Sequence, residues 1–478
     1  QVRWWAAPWV GARFAPPARS RLGMARTDEL RDWDRRHVWH AFTQMAEYEP
    51  LVIERGEGCW LVDVDGRRYL DGVSSLWCNL HGHAHPRLNA AIADQLGTLA
   101  HATTLGMSNP PAIELARRLA NLAPGDLNRV FYSCDGSSAV EAALKIAFQY
   151  WRQCAAPQPG KQTYLAYASA YHGDTLGSTA VGGISRFHDL FRPLLFDVVR
   201  LPAPDRRVGD AGVHLARLEA ALAVHHEKLA AVVIEPLVHG AAGMILQPPG
   251  YLRGVRELTR KYGVLMIADE IVTGFGRTGT MFACQHEQVV PDLLCLGKSI
   301  TAGYLPLAAT LATEELYAAF LGEHSAGRTF QHGHTYGGNP LAAAAACASL
   351  DLLAEERTLD EALPRKTAKL AQALAPLAEH PHVGDVRQLG LLAGVELVAD
   401  RATGTPFPAH QRRGVRVCRR TTAAGVWLRP LGDVVVVLPP LAISDAEIAL
   451  LADVLRAAID AECTAPPNGL HQPAPLST

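Results

Sequence analysis

Two short, unbroken apolar runs set the strongest limit on what this chain can become. Residues 264–268 (VLMIA) end on Asp269, and residues 293–296 (LLCL) are followed at once by Gly297 and Lys298. Short runs that are apolar throughout and bounded by turn residues predict central strands of a parallel sheet covered on both faces. In open α/β sheets ligands gather at the carboxyl ends of the strands, which is where Asp269 and Lys298 fall. From Asn128 onward strand and helix patterns alternate regularly, the signature of a doubly wound, mostly parallel sheet.

A carboxylate in an apolar setting needs a cationic partner, because an unpaired buried charge is costly and tends to be lost to protonation. A protonated pyridine nitrogen is such a partner. A lysine among apolar residues and glycines sheds its proton more readily and becomes an amine able to form a Schiff base. Asp269 and Lys298 together therefore point to pyridoxal phosphate. Taken singly, each has an ordinary reading: Asp269 as a turn or cap residue, Lys298 as a solvated side chain.

Other turns extend the pattern. Asp135, Gly136, Ser137 and Ser138 open a helix whose apolar face carries Val140, Leu144, Ala147, Phe148 and Trp151. Free backbone N–H groups and hydroxyls at a helix N-terminus make an anion site, or simply an N-cap. Residues 165–183 read as a strand ending at Tyr171-His172-Gly173, with Tyr171 either stacking on a flat cofactor or packing in the core. Glu235 closes another apolar strand. FQHGHTYGGNP, containing Gly333, His334 and Thr335, precedes a small-residue helix from Leu341 and forms a second candidate phosphate turn.

Toward the N-terminus, residues 28–48 predict a short helix and an aromatic-rich segment, and residues 58–72 a hairpin across Asp65-Gly66. A helix is expected over residues 86–99. His81, His83 and His85 alternate, but no acid or cysteine keeps regular spacing with them, so no metal site is expected. Residues 383–398 and 426–444 read as strands, and residues 445–461 as a closing helix.

Composition excludes several classes. A net charge of -2 gives no footprint for nucleic acid, and no apolar run approaches a membrane span of about 20 residues. Nine cysteines, scattered and never in a CxxC pair, indicate neither a disulfide framework nor a zinc site, so a reducing, cytoplasmic setting is expected. The first 23 residues carry no acid and precede Met24. They are read as a misassigned start in preference to an Arg-rich targeting peptide, and the Pro-rich residues 464–478 as a loose tail.

Asp269-Glu270, GFGRTG at residues 274–279 and Gly297-Lys298 resemble the class III, fold-type I pyridoxal phosphate aminotransferases, and the likeness runs from His37 to about Ile459. It implies a large cofactor domain (81–345) and a small α+β domain from both chain ends (24–80 and 346–463). It implies Lys298, Asp269 and Tyr171 as catalytic residues, and Gly136, Ser137, Tyr171, His172, Asp269, Lys298, His334 and Thr335 as cofactor contacts. Phe42, Trp77, Tyr171, Lys298, Gly333 and Arg429 would line the substrate pocket, Arg429 holding a carboxylate. Gly333, His334 and Thr335 would serve the neighbouring subunit, making a homodimer with shared sites.

Within the family the likeness is to members that aminate 8-amino-7-oxononanoate to 7,8-diaminononanoate in biotin biosynthesis. HVWHAFTQM, SSLWCNLHGHAHP, QYW, YHGDT and VWLRPLGD carry it. Against the S-adenosylmethionine-using form, Leu76-Trp77 replaces paired tryptophans, Ala41-Phe42 replaces Pro-Tyr, and Val436 replaces a tyrosine. These changes look more like the branch that takes lysine as amino donor, and both donors stay open. The alternatives are another class III activity, such as an ω-amino-acid:pyruvate aminotransferase, and a non-catalytic scaffold. A scaffold predicts loss of the lysine or the acid, and both are present.

Overall fold

The structure, a computed structural model, describes residues 24–463. The expectations for residues 1–23 and 464–478 lie outside them. The chain groups into two units, one of residues 24–56 with 61–68, the other of residues 57–60 with 69–463. In the first, the helix Met24–His37 is followed by a single 3₁₀ turn, Met45–Glu47, and Arg31 on the helix pairs with Asp65. The expected hairpin turn is present: the Gly66 amide donates to the Asp63 carbonyl at 2.9 Å, with Gly66 at φ 84°, a conformation glycine adopts without steric cost.

The second unit is built on a seven-stranded sheet. Its strands are β1 (Arg129–Ser133), β2 (Thr163–Tyr167), β3 (Val198–Leu201), β4 (Leu229–Ile234), β5 (Leu265–Asp269), β6 (Leu293–Leu296) and β7 (Ala308–Ala312), in the spatial order β1-β7-β6-β5-β4-β2-β3. All neighbours are parallel except at β7, which runs antiparallel to β6 and to β1. The two apolar runs are thus adjacent central strands, with Ile267 opposite Leu293 and Asp269 opposite Cys295.

Continuous apolarity follows from burial on both faces. Met266 and Ala268 of β5 enter one hydrophobic cluster and Leu265 and Ile267 the other, because successive strand residues point to opposite sides. Helix α1 (Gly136–Gln153) lies on the second cluster through fully buried Ala139, Val140, Ala143 and Ala147, small residues that let a helix approach a sheet closely. Asp135 caps it, its carboxylate accepting from the Ser138 amide at 2.9 Å. Helices α2 (Ala211–His225), α3 (Tyr251–Lys261) and α4 (Pro340–Glu355) follow in sequence; no described helix is long and apolar enough to cross a membrane.

A second, antiparallel sheet comprises β8 (Val383–Leu389), β9 (Leu392–Leu397), β10 (Arg429–Leu431) and β11 (Val434–Val437), ordered β8-β9-β11-β10. Helix α5 (Arg413–Ala423) precedes β10, and α6 (Asp445–Cys463) closes the described chain. The helix expected over residues 86–99 is Pro86–Thr98.

One boundary differs. The strand expected to end at Tyr171 stops at Tyr167, where a turn begins, the Ala170 amide donating to the Tyr167 carbonyl at 3.1 Å. The alternating small residues of ASA hid this turn. Tyr171 and His172 consequently sit on a loop, free to aim across the ends of several strands.

Since Ile267 is fully buried between two layers, Ile267→Ala should cost about 2–5 kcal/mol of unfolding free energy. Urea denaturation followed by circular dichroism measures it, and an unchanged midpoint would contradict the packing described.

Candidate active site

Three turns at the carboxyl edge of the sheet meet at Gly136, Gly297 and the Ile271 side chain. A Cβ placed on Gly297 would lie 3.4 Å from the Gly136 Cα, and one on Gly136 would come within 2.9 Å of the Ile271 side chain. The turns after β1, β5 and β6 are therefore locked together, and with them Ser137, Asp269 and Lys298. A fourth loop joins at Gly173, whose φ of 124° and a distance of 2.1 Å from its would-be Cβ to Ser137 Oγ exclude any side chain. Ser137 Oγ accepts from the Asp174 amide at 3.2 Å.

Asp269 ends β5 buried. Its Oδ1 accepts from the Ile271 amide at 3.1 Å, and its Oδ2 lies 2.7 Å from His172 Nδ1. Burial alone would lower the His172 pKa; the hydrogen bond and charge of Asp269 outweigh it and raise the pKa. His172 Nε2 is buried with no hydrogen-bond partner among the described residues. Beside this pair, Glu235 accepts from the Tyr171 amide at 3.1 Å and the Gly240 amide at 3.0 Å, and lies 3.3 Å from His239 Nδ1. The Tyr171 hydroxyl donates to Asp174 at 2.7 Å, and its ring lies parallel to that of His188, 6.2 Å between centroids.

Lys298 opens a short 3₁₀ turn at φ 44°, and its side chain is only partly screened from solvent. Its Nζ faces the Trp77 ring at 5.4 Å from the centroid. Desolvation lowers its pKa, against the opposing pull of Asp269. Trp77 is itself held at φ 68°, in a segment where Ser74 and Ser75 also have positive φ. Such backbone costs about 1–3 kcal/mol per residue and persists only where its surroundings impose it. Here Asp71 imposes it, accepting from the Ser75 amide and hydroxyl, each at 2.9 Å, and from the Val73 amide at 3.3 Å, with His83 Nε2 3.0 Å away.

Sequence reasoning missed Arg277 of the GFGRTG turn. It is fully buried with no acid partner among the described residues; its guanidinium donates to the Asn79 carbonyl at 2.6 Å, the Pro439 carbonyl at 2.8 Å and Ser299 Oγ at 3.4 Å. Ser299 in turn reaches the Trp77 carbonyl at 3.5 Å. Desolvation lowers the Arg277 pKa to about 10, which leaves it charged at neutral pH. One cation thus ties the Lys298 turn, the Trp77 segment and the chain beyond β11. The available signal was the one used for Lys298: a lone cation framed by glycines and apolar residues. Glu270, also fully buried, accepts from the Ala283 and Cys284 amides at 2.7 and 2.8 Å and pins the far end of the same loop.

The remaining expected residues divide. Arg429 lies on β10, opposite Val436, partly buried; its side chain makes no hydrogen bond or salt bridge among the described residues, and desolvation lowers its pKa. Among the described residues, no hydrogen bond or ring contact links the turn at residues 333–335 to the group around Lys298. That turn lies at the β1 edge, where the His334 ring meets His332 edge-on at 5.1 Å and His332 stacks on Phe131 at 5.9 Å. Phe42 belongs to the other unit, with φ 52° and 59% exposure. His81 bonds Ser349 and His83 bonds Asp71; no cluster able to hold a metal occurs among the described residues.

The profile of the family described as Aminotransferase class-III matches residues 43–459. The chain belongs to the class III aminotransferases. It is similar to an adenosylmethionine-8-amino-7-oxononanoate aminotransferase of Nitratidesulfovibrio vulgaris, 54% identical over 91% of this chain and 82% of that one. Among solved structures it resembles the enzyme of that name from Methanocaldococcus jannaschii, with TM-score 0.87, 42% identity and coverage of 91% and 99%. It also resembles the omega transaminase of Pseudomonas jessenii in complex with PMP, with TM-score 0.86, 31% identity and coverage of 91% and 98%.

Class III aminotransferases use pyridoxal phosphate, and the residues present fit it. A helix N-terminus with a hydroxyl and tight glycine contacts suits a phosphate, a buried carboxylate suits a ring nitrogen, and a desolvated lysine suits a carbonyl.

The Arg277 clamp is testable. Arg277→Lys keeps the charge but cannot reach all three acceptors, and each buried acceptor left unsatisfied costs about 1–3 kcal/mol. The variant should melt earlier and lose bound cofactor on gel filtration; wild-type values in both would remove the clamp.

Proposed function

We propose that this aminotransferase transfers an amino group to the ketone of 8-amino-7-oxononanoate, yielding 7,8-diaminononanoate in biotin biosynthesis. Curated relatives at 54% and 52% identity over 91% of the chain bear the name of that activity. The structural observation that carries the reading is Arg429, a partly buried cation with no partner among the described residues, on the strand that follows Trp427. An acceptor with an aliphatic chain and one terminal carboxylate supplies the missing anion and an apolar body.

Bound pyridoxal phosphate supplies an electron sink for the carbanion at the reacting carbon. The chain supplies the rest. Lys298, its proton loosened by burial, takes the proton from the donor carbon and returns one to the acceptor carbon. Asp269, oriented by His172, holds negative charge where the ring nitrogen belongs. Tyr171 offers its ring face, and Gly136 and Ser137 offer the phosphate the N-terminus of α1. Trp77 walls the substrate side of Lys298.

The same reading makes the enzyme a homodimer in which Gly333, His334 and Thr335 of one subunit complete the site of the other. Leu105 and Met107, 66% and 58% exposed, support it: a Cβ on Gly333 would touch Leu105, so this turn borders apolar surface of the kind an interface covers. Nine free cysteines support a reducing, cytoplasmic location.

Two variants test the reading. Lys298→Ala should reduce turnover by about 10²–10⁴-fold or more and abolish the cofactor adduct fixed by borohydride; full activity would overturn the role. Arg429→Ala should raise the KM for 8-amino-7-oxononanoate roughly 10–100-fold while leaving cofactor affinity intact. An unchanged KM would remove Arg429 from the pocket, and inability of the wild type to aminate this ketone would favour an ω-amino-acid:pyruvate activity.

A further inference from the structure

A second cation, Arg186, stands without an acid to answer it among the described residues. Arg186 lies in the short helix Ser185–His188, its guanidinium 4.5 Å from the centroid of the adjacent Phe187 ring. Phe187 meets the Tyr171 ring edge-on at 6.0 Å, so Arg186 is one aromatic removed from the residue assigned to face the cofactor. From the other side, a Cβ built on Gly432 would lie 3.8 Å from Arg186 Nη1. Gly432 follows β10, three residues after Arg429, so the Arg186 guanidinium reaches the turn that ends the strand carrying Arg429.

Nearby charges are already committed. Asp189 pairs with Arg192 at 2.7 Å, and Asp174 accepts the Tyr171 hydroxyl. Arg200, the other arginine of this region, donates to the Gly182 and Ala180 carbonyls. Arg186, like Arg429, has no side-chain hydrogen bond or salt bridge among the described residues. Although much of the side chain is open to solvent, partial desolvation with no compensating acid lowers its pKa.

We propose that Arg186 is a specificity-determining residue that binds the carboxylate of the amino donor, while Arg429 serves the carboxylate of the keto acceptor. The inference rests on the transamination reading and deepens it. Donor and acceptor occupy the site in turn, and each carries a carboxylate. Two cations, Arg429 on β10 and Arg186 beside the turn that follows it, give each its own anchor, and a guanidinium fork matches a carboxylate bidentately. Lysine and S-adenosylmethionine share this feature, so the proposal concerns the anionic group and not the rest of the donor.

The test compares each donor with its decarboxylated counterpart. Purified holoenzyme is mixed with L-lysine, cadaverine, S-adenosylmethionine or decarboxylated S-adenosylmethionine, and conversion of the cofactor to its pyridoxamine form is followed by absorbance. The wild type should prefer the carboxylated member of the pair it accepts. In Arg186→Gln that preference should fall at least about tenfold, the loss expected when a charge-assisted hydrogen bond is removed, and Arg186→Lys should restore part of it. The KM for 8-amino-7-oxononanoate should stay at its wild-type value. Calorimetric affinities of the same compounds in the Lys298→Ala background should follow the same ratio without turnover.

A carboxylate preference unchanged in Arg186→Gln would overturn the proposal, as would a loss confined to the acceptor. If Arg186→Gln does not fold, Arg186→Lys and Arg186→Met are read in the same way. Failure of the transamination reading has a separate signature: the pyridoxamine form would not be discharged by 8-amino-7-oxononanoate, whatever residue 186 is.

Discussion

A guanidinium sealed from water and answered only by carbonyls and a hydroxyl underlies the geometry of this molecule. Arg277 draws the Asn79 and Pro439 carbonyls and Ser299 to one point. Segments distant in sequence converge there because the alternative, an uncompensated buried charge, is far more costly than the order it enforces. The strained backbone at Trp77 and the positive φ at Lys298 flank this clamp. Asp71 restrains the Trp77 segment from the other side, so a cation and an acid, neither placed to touch substrate, fix the wall that Lys298 faces.

The electrostatics follow from the same burial. Asp269 and Glu235 lie side by side at the sheet edge, each beside a histidine, and the rise in the His172 pKa shows the carboxylate prevailing over desolvation. Lys298 moves the opposite way, toward the neutral amine. One edge therefore holds Glu235, despite its burial, below the usual carboxylate range, through His239 and its backbone donors, while desolvation loosens the proton of Lys298.

Much of this was legible in the sequence, for a definite reason. Residues 264–268 and 293–296 are buried on both faces, and two-sided burial leaves an unbroken apolar run that a charged residue visibly terminates. The Asp135 cap and the helix at 445–463 were legible because caps and amphipathic spacing are local. What escaped depends on partners remote in the chain. Arg277 acts through carbonyls, which carry no side-chain signature, and Asp71 looked like the end of a hairpin. Arg186 became visible only when the fold set it beside Gly432, far along the sequence. The early end of β2 was hidden because small residues fit a turn as well as a strand.

The contact between Gly136 and Gly297 has a consequence for how such an enzyme can diversify. Each position already carries the smallest residue there is, and a Cβ on Gly297 would meet the Ile271 side chain at 3.3 Å and the Gly136 Cα at 3.4 Å, so any larger residue crowds the turns. The floor of the site is in that sense frozen. On the proposed reading, adaptation to new amines and ketones is left to side chains on the Trp77 segment, on β10 and on the Ser185–His188 turn. An antiparallel β7 lies between the two strands that supply this floor, so the rim can be rebuilt by loops from either flank without disturbing the strand order beneath.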